Sequence, residues 1–293
     1  MIAPRRFSRL RIAAFAAIER LAVLLGGRRL YRARHLRRER LVVRRETVEV
    51  QDLPTALEGF TVAHLTDVHA GPFLGAGDLA DVASAVEEAA PDVVCWTGDY
   101  VVHGIENARP IEGELARCAG ARGTFAVFGN HDYLHRREPE FVAAMEPRGW
   151  TFLRNRSAVV DVPMKEGAAE DGPGARVAFA GIEDPEEGKV VDVDAALEGT
   201  RDADVVVALA HGPRAAPAFA AGGARVVLSG HTHATQVDLP FLRDLGPAHP
   251  GLRVELGGTT LVVGRGIGVI GAPLRSGVPA EIVLVTLRRG AGA

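Results

Sequence analysis

The stretch Thr124-Phe125-Ala126-Val127-Phe128-Gly129-Asn130-His131-Asp132 joins an apolar run to a polar tetrapeptide. An apolar run of this length predicts a buried strand, because such strands carry few polar side chains on either face. The polar groups that follow are chemically rich: an amide, an imidazole and a carboxylate directly after one glycine. We therefore expect this strand to deliver Asn130, His131 and Asp132 to a functional site at its carboxyl end.

Four other apolar runs end in the same abrupt way. They are followed by Asp67-Val68-His69, Gly98-Asp99, His211 and Gly230-His231-Thr232-His233. Open α/β sheets place their ligand sites beyond the carboxyl ends of the strands. Five strand ends that all carry Asp, Asn or His therefore predict one shared site rather than five separate surface turns.

The residue types in these stretches favour a metal ion. Asp67 and His69 are two positions apart, as are His231 and His233, so each pair can point to the same side of an extended segment. Half of the ten histidines lie in the five stretches, which is more than folding requires. Carboxylate, amide and imidazole ligands without thiolate suit Mn²⁺, Fe, Zn²⁺ or a similar divalent ion, and this ligand set does not choose among them.

The charge distribution divides the chain unevenly. The net charge is −3 over 293 residues, yet residues 1–45 contain fourteen Arg and only two Glu, which gives this segment a charge of +12. Such asymmetry indicates a basic arm for an anionic surface, either a membrane or a nucleic acid. The remaining composition, 47% apolar and 24% charged, is that of an ordinary globular domain.

The basic arm contains an Ala- and Leu-rich segment at residues 10–27, interrupted by Glu19 and Arg20. A spanning helix needs about 20 mostly apolar residues, so the length and the charges of this segment disfavour a transmembrane span without settling whether the arm binds or crosses a membrane. We predict an amphipathic helix on the inner leaflet, with a helix packed on the body or a disordered segment as alternatives. The expected organisation is a basic amphipathic arm at residues 1–40 and a globular domain that carries the metal site at residues 41–293.

The compartment follows from the cysteines and from this arm. Cys95 and Cys118 are too few for a disulfide framework, which favours a reducing environment. We therefore expect a cytoplasmic protein with peripheral contact at the inner face of the plasma membrane. Within the domain, βα units precede a strand-rich half, and Asp78 is expected to cap a helix that continues through Glu88.

Taken in order, Asp-x-His, Gly-Asp, Gly-Asn-His-Asp, His and Gly-His-Thr-His resemble the blocks of the calcineurin-like metallophosphoesterases across residues 41–288. Gly264–Gly268, Pro273–Arg275 and Pro279–Ile282 resemble the bacterial branch that has an N-terminal membrane-associated segment. The resemblance implies an α/β (α+β) fold: a four-layer αββα sandwich of two mixed sheets flanked by helices, with a dinuclear metal site at the strand ends.

The resemblance also implies residue roles, with two divalent metal ions as cofactors. One metal would be held by Asp67, His69 and His233, and the other by Asn130, His211 and His231. Asp99 would bridge the two. His131 would stabilise the phosphoryl transition state or protonate the leaving oxygen, and Asp132 would orient it.

The implied activity is metal-dependent hydrolysis of a phosphoric ester, either a diester or a monoester, by a metal-bound hydroxide that attacks phosphorus in line. The basic arm favours a membrane lipid or a nucleotide-lipid headgroup as the phosphorylated substrate. One alternative is a nuclease of the same superfamily, which uses the arginines on nucleic-acid phosphates. Another is a non-catalytic scaffold that retains the fold as a binding surface.

Three further residues are weaker candidates for substrate binding. His103 follows Asp99 by four positions, Tyr133 adjoins the Asn-His-Asp block, and Arg265 suits bidentate phosphate contacts. One departure from the family pattern concerns the substrate loop. The bacterial branch continues Gly-His-Thr-His with Gly-Gly-Gln, whereas this chain has Ala234-Thr235-Gln236, which we expect to stiffen or narrow the loop beside the metals.

Overall fold

The computed structural model describes residues 9–164, 174–185, 189–236 and 248–290. The helices are α1 Arg9–Leu24, α2 Gly27–Tyr31, α3 Ala80–Ala89, α4 Glu112–Arg117, α5 Glu138–Met145, α6 Val193–Leu197 and α7 Ala216–Ala221. The strands are β1 Val42–Val50, β2 Thr61–Leu65, β3 Val93–Trp96, β4 Thr124–Ala126, β5 Trp150–Phe152, β6 Arg156–Val162, β7 Ala175–Gly181, β8 Val205–Leu209, β9 Val226–Ser229, β10 Arg253–Leu256, β11 Thr259–Val263 and β12 Glu281–Arg289.

These strands form two sheets, each mixed. The first has the order β1-β12-β2-β3-β4-β5, and among the described strands β12 and β2 form its one antiparallel pair. The second has the order β10-β11-β9-β8-β7-β6, with a parallel centre and an antiparallel strand at each edge. The five strands that precede the polar stretches singled out above, β2, β3, β4, β8 and β9, each pair in parallel with at least one neighbour.

Alternating side chains pack the two sheets against each other. Val62 and Val93 of the first sheet share a buried cluster with Val177 and Val205 of the second. Neighbouring side chains of a strand point to opposite faces of the sheet, so the residues that alternate with these valines pack on the other face. The faces that carry this shared cluster are therefore the inner faces of the two sheets, which lie face to face.

Helices cover the two outer faces. Ala63 and Val94 of the first sheet pack with Val82 of α3 and Phe141 of α5. On the second sheet, Ala178 and Val206 share a cluster with Ala196 of α6 and Phe219 of α7. The order of layers is helix, sheet, sheet, helix, which confirms the predicted four-layer αββα sandwich.

The segment before β1 is packed on this sandwich. Tyr31 and Leu36 are buried in the first sheet's helical core, and the Tyr31 hydroxyl donates to the carbonyl of Ile267. Arg28 Nε donates to Asp78 Oδ2 at 2.8 Å. Asp78 therefore does not cap α3 as expected, since its carboxylate is occupied by Arg28 and the Gly75 N–H while Leu79 holds the capping position.

Helix α1 has two contrasting sides. Glu19 is 1% exposed, and its carboxylate accepts hydrogen bonds from His103 Nε2 at 2.5 Å and from the Gly271 N–H at 3.2 Å. Leu21, Leu24 and Leu25, in α1 and just after it, are at least 60% exposed. In the part of the chain that the structure describes, no helix is long and apolar enough to cross a membrane.

The contacts of Glu19 generate a prediction about the docking of α1. Glu19→Ala should leave the Gly271 N–H without its acceptor and cost about 1–3 kcal/mol of local stability. Hydrogen exchange of the α1 amides would measure this loss as faster exchange. Glu39→Ala is the matched control, because the Glu39 side chain is 66% exposed and lies 4.0 Å from Arg37. Equal exchange in both variants would show that Glu19 does not hold the helix.

Candidate metal centre

The residues after β2 and β9 form a first group of ligand atoms. His69 Nε2 and His233 Nε2 approach to 2.9 Å, and Asp67 Oδ1 lies 3.3 Å from His233 Nε2. All three residues are buried. The other imidazole nitrogens of the two histidines, the Nδ1 atoms, are buried without a hydrogen-bond partner in the described structure. Two imidazole nitrogens and a carboxylate oxygen that face one point suit a cation better than they suit one another.

A second group lies after β4, β8 and β9. Asn130 Oδ1 is 3.1 Å from His211 Nε2 and 3.0 Å from His231 Nδ1, and the two imidazole nitrogens are 3.1 Å apart. The Asn130 amide oxygen can only accept N–H protons from the two rings, whereas an ion would bind this oxygen and both ring nitrogens at once. Like the first group, the second group is therefore suited to bind a cation.

Asp99 stands between the two groups. Its Oδ2 lies 3.6 Å from His69 Nε2 in the first group and 3.2 Å from His211 Nε2 in the second. Asp99, His211 and His231 each offer a ligand atom within 4.8 Å of the others. The structure therefore brings all seven predicted ligands together, with one carboxylate shared by both groups.

His131 lies at the edge of this cluster. Its Nδ1 is 2.7 Å from the Val102 carbonyl, so Nδ1 carries the proton in the neutral ring and Nε2 is the basic nitrogen. Its ring stands edge-on to His69, with centroids 5.0 Å apart. The predicted role of Asp132 in orienting His131 stays a prediction. The Asp132 carboxylate accepts the N–H groups of Asp99, Tyr100 and Gly129, each at 2.8 Å.

The pKa shifts of Asp99, His231 and His233 favour the forms that bind a cation, whereas the shift of His211 does not. Burial tends to raise the pKa of Asp99, but His211 and His131 outweigh burial and hold this pKa well below its ordinary value. Burial lowers the pKa of His233 to about 3 and that of His231 to about 4. His211 differs, because the Asp99 carboxylate overcomes burial and raises its pKa. Ionised carboxylates and neutral imidazoles are the forms that bind cations.

The backbone at the ligands is strained. Five of the seven predicted ligands have left-handed backbone angles, with φ between 49° and 67°. Non-glycine residues adopt this region at a cost of order 1–3 kcal/mol each, and such residues concentrate at functional sites. The strained ligands are Asp67, His69, Asp99, His231 and His233.

Gly129 is required by a close approach. A Cβ at this position would lie 2.2 Å from Asp99 Oδ1 and 2.7 Å from the Asp99 nitrogen. The effect of Gly129 here is to let the loop after β4 approach the loop after β3, so that the His131 N–H donates to Asp99 Oδ1 at 2.9 Å.

Main-chain carbonyls also position the cluster, and the sequence could not reveal them. The Thr97 carbonyl lies 2.7 Å from His211 Nδ1, as the Val102 carbonyl does from His131 Nδ1. Such bonds fix the tautomer and direct the other nitrogen toward the ion. Every residue has a carbonyl, so no side-chain pattern could have identified these two.

The three weaker candidates have protein partners. His103 contacts Glu19 in α1, and the buried Tyr133 donates its hydroxyl to Glu183. Arg265 Nη1 donates to Glu281 at 3.0 Å. None of the three belongs to the converging groups of ligand atoms found in the described residues. Their role in substrate binding stays a prediction.

Two stacked mixed sheets with carboxylate, amide and imidazole ligands at their strand ends are features of a metal-dependent phosphoester hydrolase. The family model for calcineurin-like phosphoesterases matches residues 60–235, and the chain belongs to that family. The resemblance predicted from the sequence is thereby confirmed.

This chain spans nearly the whole length of two bacterial relatives but little more than half of a longer vertebrate relative. A transmembrane protein with metallophosphoesterase domain from Danio rerio is 31% identical over 83% of this chain, which spans only 56% of that relative. The uncharacterized metallophosphoesterase YkuE of Bacillus subtilis is 25% identical over 94% of both chains. An uncharacterized metallophosphoesterase of Aquifex aeolicus is 27% identical over 92% of this chain and 98% of its own.

The loop after His233 carries the departure from the family pattern. Ala234, Thr235 and Gln236 have φ of 47°, 70° and 51°, which glycine adopts without steric cost. The Gln236 side chain anchors this loop, because its Oε1 accepts from the Ile270 N–H and its Nε2 donates to the Ile270 carbonyl. The chain therefore keeps a left-handed loop without the two glycines that favour it.

This loop yields a stability prediction. Thr235→Gly should raise the free energy of unfolding by about 0.5–2 kcal/mol, because relief of β-branched strain exceeds the entropy cost of glycine. Urea denaturation measures the change. Thr47→Gly in β1 is the control, and there we expect a loss of stability, since a strand does not require left-handed angles. A loss at both positions would contradict the strain that we assign to Thr235.

Proposed function

We propose that the cluster holds two divalent cations and that the protein uses them to hydrolyse a phosphoric ester. Asp67, His69 and His233 would hold one ion. Asn130, His211 and His231 would hold the second, and Asp99 would contact both. The observation that carries this proposal is the position of Asp99 Oδ2, within 3.6 Å of imidazole nitrogens from both groups. Mn²⁺, Fe and Zn²⁺ all suit these ligands.

When bound, two such ions lower the pKa of a water and stabilise the attacking and leaving oxygens of an in-line displacement. The protein's own groups prepare the site for this chemistry. The Thr97 carbonyl directs His211 Nε2 toward the cluster, and the Val102 carbonyl directs His131 Nε2. We assign His131 to stabilise the phosphoryl oxygens or to protonate the leaving oxygen.

Asp132 supports this site through the backbone. Its carboxylate accepts main-chain N–H groups on both sides of the Asp99 loop and at Gly129. We therefore assign Asp132 as a positioning residue of the Asp99 loop, and its orientation of His131 stays a prediction. Burial and the Asp99 carboxylate raise the pKa of Asp132, and the N–H donors oppose that rise because they favour the charged form.

We further propose peripheral contact with an anionic membrane and a phosphorylated lipid or nucleotide-lipid headgroup as substrate, as a monoester or a diester. Leu21, Leu24 and Leu25 are 60%, 83% and 80% exposed, and exposed Arg20 and Arg28 flank them. Exposed leucines beside arginines are typical of helices that lie in a membrane interface. Contact at the inner face of the plasma membrane would bring the metal centre to such headgroups.

The metal centre can be tested with a pair of variants. Asp99→Asn keeps an oxygen for the His131 N–H but removes the shared negative charge. We expect metal content to fall from about two ions per chain and kcat to fall at least about 100-fold, because a ligand matters more than its supporting residues. His131→Gln should keep both metals and lower kcat about 10²- to 10⁴-fold.

Metal analysis and hydrolysis of aryl phosphate mono- and diesters measure these effects. Asp202→Asn is the control, since Asp202 is exposed and precedes β8, at the opposite end of that strand from His211. Full metal content and activity in Asp99→Asn would contradict the proposed shared ligand. Loss of metal in His131→Gln would instead place His131 among the ligands.

Membrane contact can be tested without deletion of the arm, which would remove the buried Tyr31 and Leu36. Leu24→Ser/Leu25→Ser should weaken sedimentation with phosphatidylglycerol vesicles by about tenfold per leucine, because each leucine loses apolar burial in the bilayer. Val190→Ser is the matched control, as Val190 is 76% exposed on the body. Unchanged sedimentation of the leucine variant would show that α1 does not contact the bilayer.

A further inference from the structure

A cavity of about 530 Å³ lies between the segment after α2 and the loop before β12. Its walls include Arg34, His35 and Arg40 from the first segment and Leu274 and Arg275 from the second. None of the seven predicted metal ligands lines this cavity. Its lining combines three guanidinium groups with one imidazole, which is unusual for a space without a carboxylate in its walls.

Arg275 brings a buried positive charge to this cavity. The residue is 5% exposed, and its Nη2 donates to the carbonyls of Arg265 at 2.9 Å and Gly268 at 2.6 Å. Among the described residues, Arg275 has no carboxylate within ion-pair distance. Carbonyl dipoles satisfy its N–H groups but do not neutralise its charge. Buried charges are normally paired, so the cavity wall has a positive potential that an anion would stabilise.

Arg34 and Arg40 add to this potential. Within the described part of the chain, neither guanidinium forms an ion pair. Their neighbours differ, because Arg28 and Arg32 both contact Asp78 and Arg38 contacts Glu88 at 2.6 Å. Carboxylates therefore neutralise Arg28, Arg32 and Arg38, whereas the two arginines that line the cavity have no such partner among the described residues.

His35 completes the polar lining. Its Nε2 is buried and has no hydrogen-bond partner in the described residues. Burial lowers the pKa of His35 to about 4, and the charges of Arg275, Arg34 and Arg40 contribute to that lowering. The ring is therefore neutral near pH 7 and can offer an N–H to an anion without the cost of a further charge.

We propose that this cavity binds the phosphate group of an anionic phospholipid. Arginine suits phosphate because its planar fork donates two parallel hydrogen bonds. A lipid is favoured over a soluble phosphate by the apolar groups beside the cavity. Leu274 lines it and is 43% exposed, and Leu30, four residues before Arg34, is 48% exposed. The headgroup site rests on the proposed membrane contact and deepens it, but it does not depend on the metal chemistry.

Two pairs of arginine variants test the headgroup site. Arg34→Gln/Arg40→Gln removes two charges from the cavity, and Arg20→Gln/Arg29→Gln removes two exposed charges outside it. We expect the cavity pair to raise the phosphatidylglycerol concentration for half-maximal vesicle binding at least about tenfold more than the control pair, because direct bonds to phosphate add to surface attraction. Vesicles of phosphatidylcholine with oleate, matched in surface charge, should bind the wild-type chain more weakly.

The outcomes distinguish a failure of the headgroup site from a failure of the membrane contact. Equal losses in the two arginine pairs, together with a loss in Leu24→Ser/Leu25→Ser, would leave membrane contact in place and overturn the headgroup site. Equal binding to oleate vesicles would also overturn it. Displacement from vesicles by micromolar glycerol phosphate would make the cavity a site for a soluble phosphate instead. Absence of vesicle binding by the wild-type chain would refute both the contact and the site, and hydrolysis of an aryl phosphate would show that the enzyme itself is intact.

Discussion

The carboxylate of Asp132 joins the loops after β3 and β4, and the centre of the site depends on these two loops. It is fully buried and accepts the N–H groups of Asp99 and Tyr100 after β3 and of Gly129 after β4. A carboxylate without these donors would be costly to bury, and the loops without the carboxylate would leave buried N–H groups unpaired. The position of Asp99, and through it the relation of the two ligand groups, follows from this mutual requirement.

The strained backbone at the ligands depends in turn on the two sheets. Left-handed angles at Asp67, His69 and Asp99 persist only where the surroundings allow no relaxed alternative. Here the apolar cores on both faces of each sheet hold the strands in register, and these ligands lie in the loops that directly follow the strands. The packed cores therefore hold the ligands in their strained backbone conformations.

The sequence was sufficient for the fold and for the stretches that converge. Apolar runs with polar ends leave a strong pattern, and Asp67-Val68-His69 or Gly129-Asn130-His131-Asp132 can be recognised without coordinates. The supporting contacts were not predictable. Asp132 bonds to main-chain N–H groups, which are the same at every residue, and His103 finds its partner Glu19 84 positions away. Asp78 likewise meets Arg28 across 50 positions, so a local capping pattern was misleading there.

The topology of the first sheet has a consequence for the order of assembly. β12 lies between β1 and β2, so β1 has no partner strand until residues 281–289 have been synthesised. Loop closure over so long a separation is slow, and an unpaired strand edge is prone to wrong association. During synthesis, the N-terminal segment with its exposed leucines is therefore made long before the first sheet can be completed. β12 adds the strand pairing of β1 to the contacts, such as Arg28 with Asp78, by which the N-terminal segment packs on the body.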